Sequence, residues 1–144
     1  MNYELRITNC LLAVDPGRDK CGVCVVDGNG EIKYQRVIET ARLEEVVSEL
    51  GSRFELQTIV LGNGTTSAEA ARRISAIAKD IQIEVVDEKH TTEQARVEYW
   101  KKKPPRGWRR LLPTSMQVPP EPVDDIVAEI LARRFIKKIR EVKK

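Results

Sequence analysis

The order of strand-like and helix-like segments is the feature that most constrains how this chain can fold. Three strands are predicted in succession, because short turn signals alone separate Leu11–Val14, Cys21–Asp27 and Glu31–Glu39. Beyond them, helical patterns alternate with two further strand-like segments, Thr58–Leu61 and Ile83–Val86. Strands that are connected through helices pair in parallel. The sequence therefore predicts an α/β fold, a mixed five-stranded sheet with helices on its faces.

Four helices are predicted from apolar periodicity and from the residue types that begin and end helices. Their predicted boundaries are marked by Thr40 and Gly51, by capping boxes at Thr66–Glu69 and Thr91–Gln94, and by Pro122 before Val123–Ile139. The helix that opens at Thr91 is expected to end at about Trp100.

The length and composition predict one globular domain over residues 1–144. A chain of 144 residues has the size of a single domain, and a hydrophobic content of 41% is enough for a packed core. No apolar stretch approaches the ~20 residues of a membrane span, and the N-terminus lacks the pattern of a secretory leader. We therefore expect a cytoplasmic protein that does not associate with membranes.

The three cysteines are expected to be reduced and structural. The spacing Cys21-x-x-Cys24 is half of a zinc motif, but it lies in a predicted strand, where residues three apart point to opposite faces. We therefore interpret both as small buried side chains rather than as metal ligands.

Charge is distributed unevenly along the chain. Residues 1–95 have 11 Lys/Arg against 16 Asp/Glu, whereas residues 96–144 have 14 against 6. A basic segment on a nearly neutral chain favours an anionic partner, with nucleic acid the leading candidate. A solvated, solubilising face is the alternative interpretation.

Residues 101–122 are rich in proline and basic residues and show little periodicity, which predicts a basic flap, and residues 137–144 are predicted to be a basic tail. Trp100 and Trp108 flank the basic run of the flap, where they either stack on unpaired bases or hold the flap to the core. The flap residues expected to contact phosphates are Lys101, Lys102, Lys103, Arg106, Arg109 and Arg110.

Acidic side chains lie at three predicted boundaries. Asp15 ends the first strand, Asp87-Glu88 follow the fifth, and Asp124-Asp125 open the last helix. Sites in open α/β sheets form at the carboxyl ends of the parallel strands, so these residues are expected to converge. On the helix, Asp124 lies at the edge of the apolar stripe and Asp125 nearly opposite. The loop Gly62-Asn63-Gly64 leaves room for the close approach of a ligand.

Several carboxylates in one cleft stay ionised together only when cations lie between them. His90 is the only histidine, so a His-based metal site is excluded; His90 itself is a solvated loop residue or an auxiliary phosphate contact. Oxygen ligands suit Mg²⁺ or Mn²⁺, and two such ions can activate a water and stabilise the leaving oxygen of a phosphodiester.

Each carboxylate also has a structural interpretation, Asp15 as a turn residue and the others as residues that favour a helix N-terminus.

Four segments together resemble the RNase H-like superfamily and, within it, the YqgF/RuvX family of Holliday-junction resolvases and pre-16S rRNA nucleases. They are LLAVDPGRDKCGVCVVD (11–27), IVLGNGTTS (59–67), VVDEKHTTEQA (85–95) and PVDDIVAEILARRF (122–135). The segments occur in the order of the family and span most of residues 10–136. The acidic block at 87–88 and the final helix make the match specific.

The resemblance implies an RNase H-like fold with strand order 3-2-1-4-5 and Asp15 on the central strand. It also implies an acidic triad of Asp15, Glu88 and Asp124 that binds Mg²⁺. One departure is Leu61-Gly62, where RuvC-type resolvases have a Glu at the end of the fourth strand. Another is the GNG turn, which is similar to the YqgF-like domain of Tex-type transcription-associated proteins, whereas bacterial members of the family usually have a G-L-P-type turn.

These observations predict a metal-dependent endonuclease in which Asp15, Glu88 and Asp124 are catalytic residues and ligands of Mg²⁺ (or Mn²⁺). The expected substrate is structured nucleic acid, either the 5′ end of pre-16S rRNA or a Holliday junction, held by the flap and by basic residues of the last helix. The alternatives are a non-catalytic nucleic-acid-binding module and a fragment of an actin-like ATPase, whose fold shares the opening strands. A monomer and a homodimer are both compatible with the sequence.

Overall fold

Five strands and four helices make up the part of the chain that the structure describes, residues 7–114 and 119–142 of a computed structural model. They are β1 (Ile7–Asp15), β2 (Lys20–Val26), β3 (Ile32–Glu39), α1 (Leu43–Arg53), β4 (Phe54–Gly62), α2 (Ser67–Ile77), β5 (Gln82–Val86), α3 (Thr91–Lys102) and α4 (Asp124–Val142). Short 3₁₀ helices lie at Thr40–Arg42 and Gly107–Leu111. The predicted order of strands and helices is confirmed.

The strands form one sheet in the order β3-β2-β1-β4-β5. The central strand β1 pairs antiparallel with β2 and parallel with β4. Of the two outer pairs, β2 and β3 are antiparallel, whereas β4 and β5 are parallel. The predicted mixed sheet and the strand order implied by the resemblance are both confirmed. Because β1, β4 and β5 run in the same direction, their carboxyl ends lie at one edge of the sheet.

Helices cover both faces of the sheet and enclose two apolar cores. One face, which includes Leu12, packs against α1 and α2. The other face, which includes Leu11, packs against α3 and α4. Adjacent strand residues point to opposite faces, so Cys21 and Cys24 lie in different cores as free thiols. The expectation that these two cysteines do not share a metal ion is therefore consistent with their positions.

The predicted ends of the first helix are wrong. Gly51 does not end α1, which continues to Arg53 and leads directly into β4. Gly51 lacks the positive φ of a helix-terminating glycine. Thr40 does not cap the helix either, because it opens the preceding 3₁₀ turn and its hydroxyl donates to the carbonyl oxygen of Gly17 at 2.9 Å.

The two predicted capping boxes do not form. The Thr66 hydroxyl donates to the carbonyl oxygen of Pro16 at 2.8 Å, and the Thr91 hydroxyl donates to the carbonyl oxygen of Glu88 at 2.7 Å. Neither helix has a side-chain hydrogen bond at its N-cap. Both threonines instead connect a helix to a loop at the carboxyl edge of the sheet, and this role depends on tertiary contacts that spacing does not reveal.

The predicted flap and tail both overlap helices. Lys101 and Lys102 belong to the last turn of α3, which extends beyond Trp100. The predicted tail begins inside α4, which continues to Val142. None of the described helices combines the length and the apolar composition that a membrane span requires.

Candidate active site

Asp15 lies between two glycines on the face of the sheet that α4 covers. It is the last residue of β1, and its register partner on β2 is Gly22. On the other side, the β1–β4 register places Gly62 beside it. Alternation along β1 points the Asp15 side chain to the same face as Ala13, which belongs to the core under α4. The two glycines leave space on both sides of this carboxyl.

Gly22 allows the first turn of α4 to lie directly against β2. A Cβ at this position would overlap the carbonyl group of Asp124 and would lie 2.6 Å from the backbone nitrogen of Asp125. Only glycine is compatible with this approach, and the approach brings the Asp124 side chain to Asp15. The sequence showed a glycine in a strand, but the helix that it accommodates is 102 positions further along the chain.

The carboxyl groups of Asp15 and Asp124 lie within hydrogen-bonding reach of each other, one at the end of β1 and the other at the start of α4. Burial first, and then the negative charges of Asp124 and Glu88, raise the pKa of Asp15 to about 7. Burial and the charge of Asp125 also raise the pKa of Asp124, against the opposing positive charge of Lys20. The site therefore concentrates more negative charge than the surrounding residues neutralise.

Glu88 brings a third carboxylate from the loop after β5. A Cβ on Gly62 would overlap its Oε2, and a Cβ on Gly64 would overlap its Oε1, so the carboxylate lies directly over these glycines. Burial first, and then the charge of Asp87, raise the pKa of Glu88. In this chain the carboxylate that covers the end of β4 thus comes from the loop after the neighbouring strand.

The donor set fits a hard divalent cation. Asp15, Glu88 and Asp124 offer only oxygen ligands, and Mg²⁺ is usually held by one or two carboxylates, with water and phosphate oxygens completing its shell. Within the residues that the structure describes, no three or more His, Cys, Asp or Glu side chains are gathered closely enough to surround one ion. Asp15 and Asp124 are therefore the two carboxyls that lie closest together, and Glu88 lies beside them.

Asp87 and Asp125 turn away to local backbone groups. Each accepts a hydrogen bond from a backbone N–H one or two positions further on, Asp87 at 3.0 Å and Asp125 at 2.9 Å. Their charges still raise the pKa of the adjacent carboxyls, Glu88 and Asp124. The geometry favours Glu88 and Asp124 over these neighbours as ligands.

His90 and Trp100 have different surroundings. His90 has a left-handed backbone conformation before α3, and its Nδ1 lies 3.2 Å from a carboxylate oxygen of Glu93 on an exposed surface. Trp100 is buried in the core under α4 and meets Tyr99 edge to face, with 5.0 Å between ring centroids. Trp100 thus packs in the core and is not available to stack on unpaired bases. The side chain of Trp108 lies outside the described residues.

The flap lysines are paired with carboxylates. The Nζ atoms of Lys101, Lys102 and Lys103 lie 3.3, 3.3 and 2.7 Å from oxygens of acidic residues, which are Glu98, Glu129 and Glu121. Arg106 and Arg110 are exposed, whereas the side chain of Arg109 lies outside the described residues. The predicted role of the flap in binding phosphates stays a prediction, but three of its charges already have partners.

Basic side chains on the C-terminal half of α4 lie at the opposite end of the sheet from Asp15. Arg133, Lys137 and Arg140 line a groove of about 410 Å³ beside the turn at Asn29-Gly30. Arg133 pairs with Glu129 at 3.1 Å. Within the described ranges, Lys137 and Arg140 form no ion pair.

The strand order, the helices on both faces and the carboxyl at the end of the central strand define an RNase H-like α/β domain. Two structures of Thermus thermophilus RuvC share this fold, one in complex with a Holliday junction substrate (TM-score 0.55) and one described as the RuvC structure (TM-score 0.57). Both are 13% identical to this chain, and the match covers 90% of this chain and 96% of RuvC.

The family model of the Tex protein YqgF-like domain matches residues 9–98. The chain therefore belongs to the Tex YqgF-like family, to which its GNG turn is similar. The predicted YqgF family is confirmed by this match, and the likeness to RuvC confirms the predicted RNase H-like fold. No curated protein matches the sequence.

Proposed function

We propose that this chain is a metal-dependent nuclease that hydrolyses phosphodiester bonds in structured nucleic acid. The observation that supports this most directly is the contact between the Asp15 and Asp124 carboxyls at the end of the central strand, with Glu88 close by. Buried carboxylates that lie close together repel one another when ionised and so oppose folding. A bound cation would offset this repulsion, which is why these residues are interpreted as metal ligands. The YqgF-like family and the fold shared with RuvC support the same function.

In this proposal Asp15 and Asp124 hold Mg²⁺ or Mn²⁺, and Glu88 adds a carboxylate from the loop after β5. When bound, the cation would supply Lewis acidity toward a water and toward the phosphate oxygens of the substrate. Asp15, whose pKa is raised to about 7, must lose its proton to become a ligand, because a ligating carboxylate is ionised. The backbone of α4, fixed against Gly22, holds Asp124 in place while that proton leaves.

The distribution of basic residues supports a polymeric substrate. Asp124 and Arg140 lie 16 residues apart on α4, which is about 24 Å at ~1.5 Å per residue. A nucleic acid that reaches from the carboxylates to the groove at Arg133, Lys137 and Arg140 spans roughly 7 base pairs at ~3.4 Å per step. The two candidate substrates are the 5′ end of pre-16S rRNA and a Holliday junction. A Holliday junction is the substrate in the RuvC complex.

The second candidate function is a nucleic-acid-binding module without catalysis. The observation that favours it is that the described residues do not gather three ligands around one ion position. This alternative predicts binding that weakens with salt but does not require a divalent cation.

The test compares the wild-type protein with Asp15→Asn on two labelled substrates, a four-way DNA junction and an RNA with a pre-16S 5′ end. Each is incubated with Mg²⁺, with Mn²⁺ and with a chelator. Cleavage by the wild type only, and only with the divalent ion, is the expected result, and the preferred substrate identifies the nucleic acid.

Two other results would contradict the proposal. If both proteins bind the substrates in a salt-dependent manner and neither cuts them with any ion, the binding-module interpretation replaces the nuclease. If Asp15→Asn cuts as well as the wild type, the assignment of Asp15 is wrong.

A further inference from the structure

We propose that Gly62, Asn63, Gly64 and Arg134 are positioning residues that together fix the Glu88 carboxylate beside Asp15. We name these four residues the Glu88 cradle. The inference rests on the proposed function, because Glu88 is a candidate ligand there. It assigns a role to the GNG turn and to one arginine of α4, neither of which the carboxylate site itself explains.

The two glycines provide the space. Gly62 lies beside Asp15 on the same face of the sheet, and neighbouring strands are ~4.8 Å apart. A side chain at position 62 would occupy the place of the Glu88 carboxylate, and at position 64 all the atoms nearest to an added Cβ belong to Glu88. The absence of side chains at these two positions therefore places the carboxylate about one strand spacing from Asp15.

Asn63 provides the anchor for the backbone. Its Oδ1 accepts a hydrogen bond from the Glu88 N–H at 3.1 Å, across 25 positions of sequence. The Thr91 hydroxyl bonds the carbonyl oxygen of the same residue at 2.7 Å. Both backbone groups of Glu88 are thus held by side chains, which restricts the loop that precedes α3.

Arg134, on α4, holds the backbone of the same loop. Its guanidinium donates to the carbonyl oxygens of Asp87 and Lys89, both at 2.8 Å, and to Oε1 of Gln94 at 3.0 Å. The two carbonyls belong to the residues on either side of Glu88. Because Arg134 lies on the same helix as Asp124, α4 fixes one candidate ligand directly and restrains another through this arginine.

An alternative role for Arg134 is contact with a phosphate. Three of its N–H groups already donate to protein acceptors in a planar arrangement that a lysine cannot reproduce. A lysine would, however, keep the charge that a phosphate contact requires. Replacement by lysine therefore separates positioning from charge.

The first experiment compares Gly64→Ala with Gly51→Ala. Gly64 has no positive φ, so alanine fits its backbone, and the new methyl group displaces only the flexible end of Glu88. At Gly51 a Cβ meets nothing within 4 Å. We expect Gly64→Ala to weaken Mn²⁺ affinity, measured by electron paramagnetic resonance, by about tenfold or more. Gly51→Ala keeps the affinity of the wild type, and neither variant lowers Tm.

The second experiment compares Arg134→Lys with Arg42→Lys. Arg42 also makes two hydrogen bonds to its partner, Glu45, but on the exposed surface at the start of α1. Arg134→Lys is expected to weaken Mn²⁺ affinity by about tenfold while the salt dependence of nucleic-acid binding is unchanged. Wild-type Mn²⁺ affinity in Arg134→Lys would contradict its positioning role.

The third experiment needs no metal. Hydrogen exchange of the Glu88 amide is compared in wild type, Asn63→Ala and Asn63→Asp, since aspartate keeps an acceptor oxygen at the same position. Exchange is expected to be about fivefold faster or more in Asn63→Ala and to return toward the wild-type rate in Asn63→Asp. Wild-type protection in Asn63→Ala would overturn the anchoring role.

These readouts are independent of cleavage. A wild-type protein that binds Mn²⁺ but cuts neither substrate refutes the proposed nuclease, while ion affinity and amide exchange still decide whether the cradle positions Glu88. If Gly64→Ala, Arg134→Lys and Asn63→Ala all match the wild type in both readouts, the cradle has no positioning role.

Discussion

Among single residues, Asp15 has the clearest consequence for stability, because its pKa rises from the usual 3.8 to about 7 in the folded chain. The folded state then binds more protons than the unfolded state between these two values. Stability without metal therefore falls as the pH rises from about 4 through about 7, and the full penalty is present above pH 7.

Asp15→Asn is therefore expected to stabilise the folded chain, because asparagine carries no charge at any pH. At pH 8, without divalent ions, we expect the free energy of unfolding to increase by about 2–4 kcal/mol, and the gain to shrink as the pH falls toward 4. Urea unfolding at several pH values with a chelator present measures both. Equal stability of the two proteins at pH 8 would show that ionised Asp15 does not destabilise the folded chain.

The glycine beside Asp15 is a second test at the residue scale. A methyl group at position 22 would overlap the backbone of Asp124, which cannot yield as a flexible side chain can. Gly22→Ala should lower the free energy of unfolding by about 3 kcal/mol and reduce Mn²⁺ affinity, because α4 must move away from β2. Gly51→Ala is the control, with a gain of about 0.5–1 kcal/mol expected in its helix. A Gly22→Ala protein as stable as the wild type would contradict the close packing of α4.

At the scale of secondary structure, the sequence predicted the elements that depend on local pattern. The alternation of Cys21 and Cys24 between faces follows from strand geometry alone, and the strand order was available from the resemblance. The capping boxes failed because the hydroxyls of Thr66 and Thr91 bond loop carbonyls that only the folded chain brings near. Local spacing does not contain this information.

The candidate site also has one part that the sequence predicts and another part that only the folded structure shows. The positions of Asp15 and Glu88 at strand ends and of Asp124 at the start of α4 could be predicted from the order of segments. The contacts that set their distances could not, because they depend on Gly22 meeting α4 and on Arg134 reaching the loop at residues 87–90. Such contacts join segments that are far apart in the chain.

At the scale of the whole molecule, the basic residues divide into a paired set and an unpaired set. Lys101 and Lys102 are already opposite Glu98 and Glu129, whereas Lys137 and Arg140 line the groove without an ion pair in the described ranges. The double variant Lys137→Gln/Arg140→Gln should reduce the salt dependence of binding to duplex DNA by about two in log–log slope. The matched double variant Lys101→Gln/Lys102→Gln should change it by less than one. The reverse order of effects would assign the backbone contact to the flap.

A divalent cation bound by Asp15 and Asp124 is the central requirement of the proposed function. The measurement that tests it is Mn²⁺ binding to the wild type and to Asp124→Asn, by electron paramagnetic resonance at neutral pH in the absence of nucleic acid. We predict saturable binding to the wild type that Asp124→Asn abolishes or weakens by about tenfold or more. No saturable Mn²⁺ binding to the wild type, or equal binding to both proteins, would contradict the metal site at the centre of the proposed function.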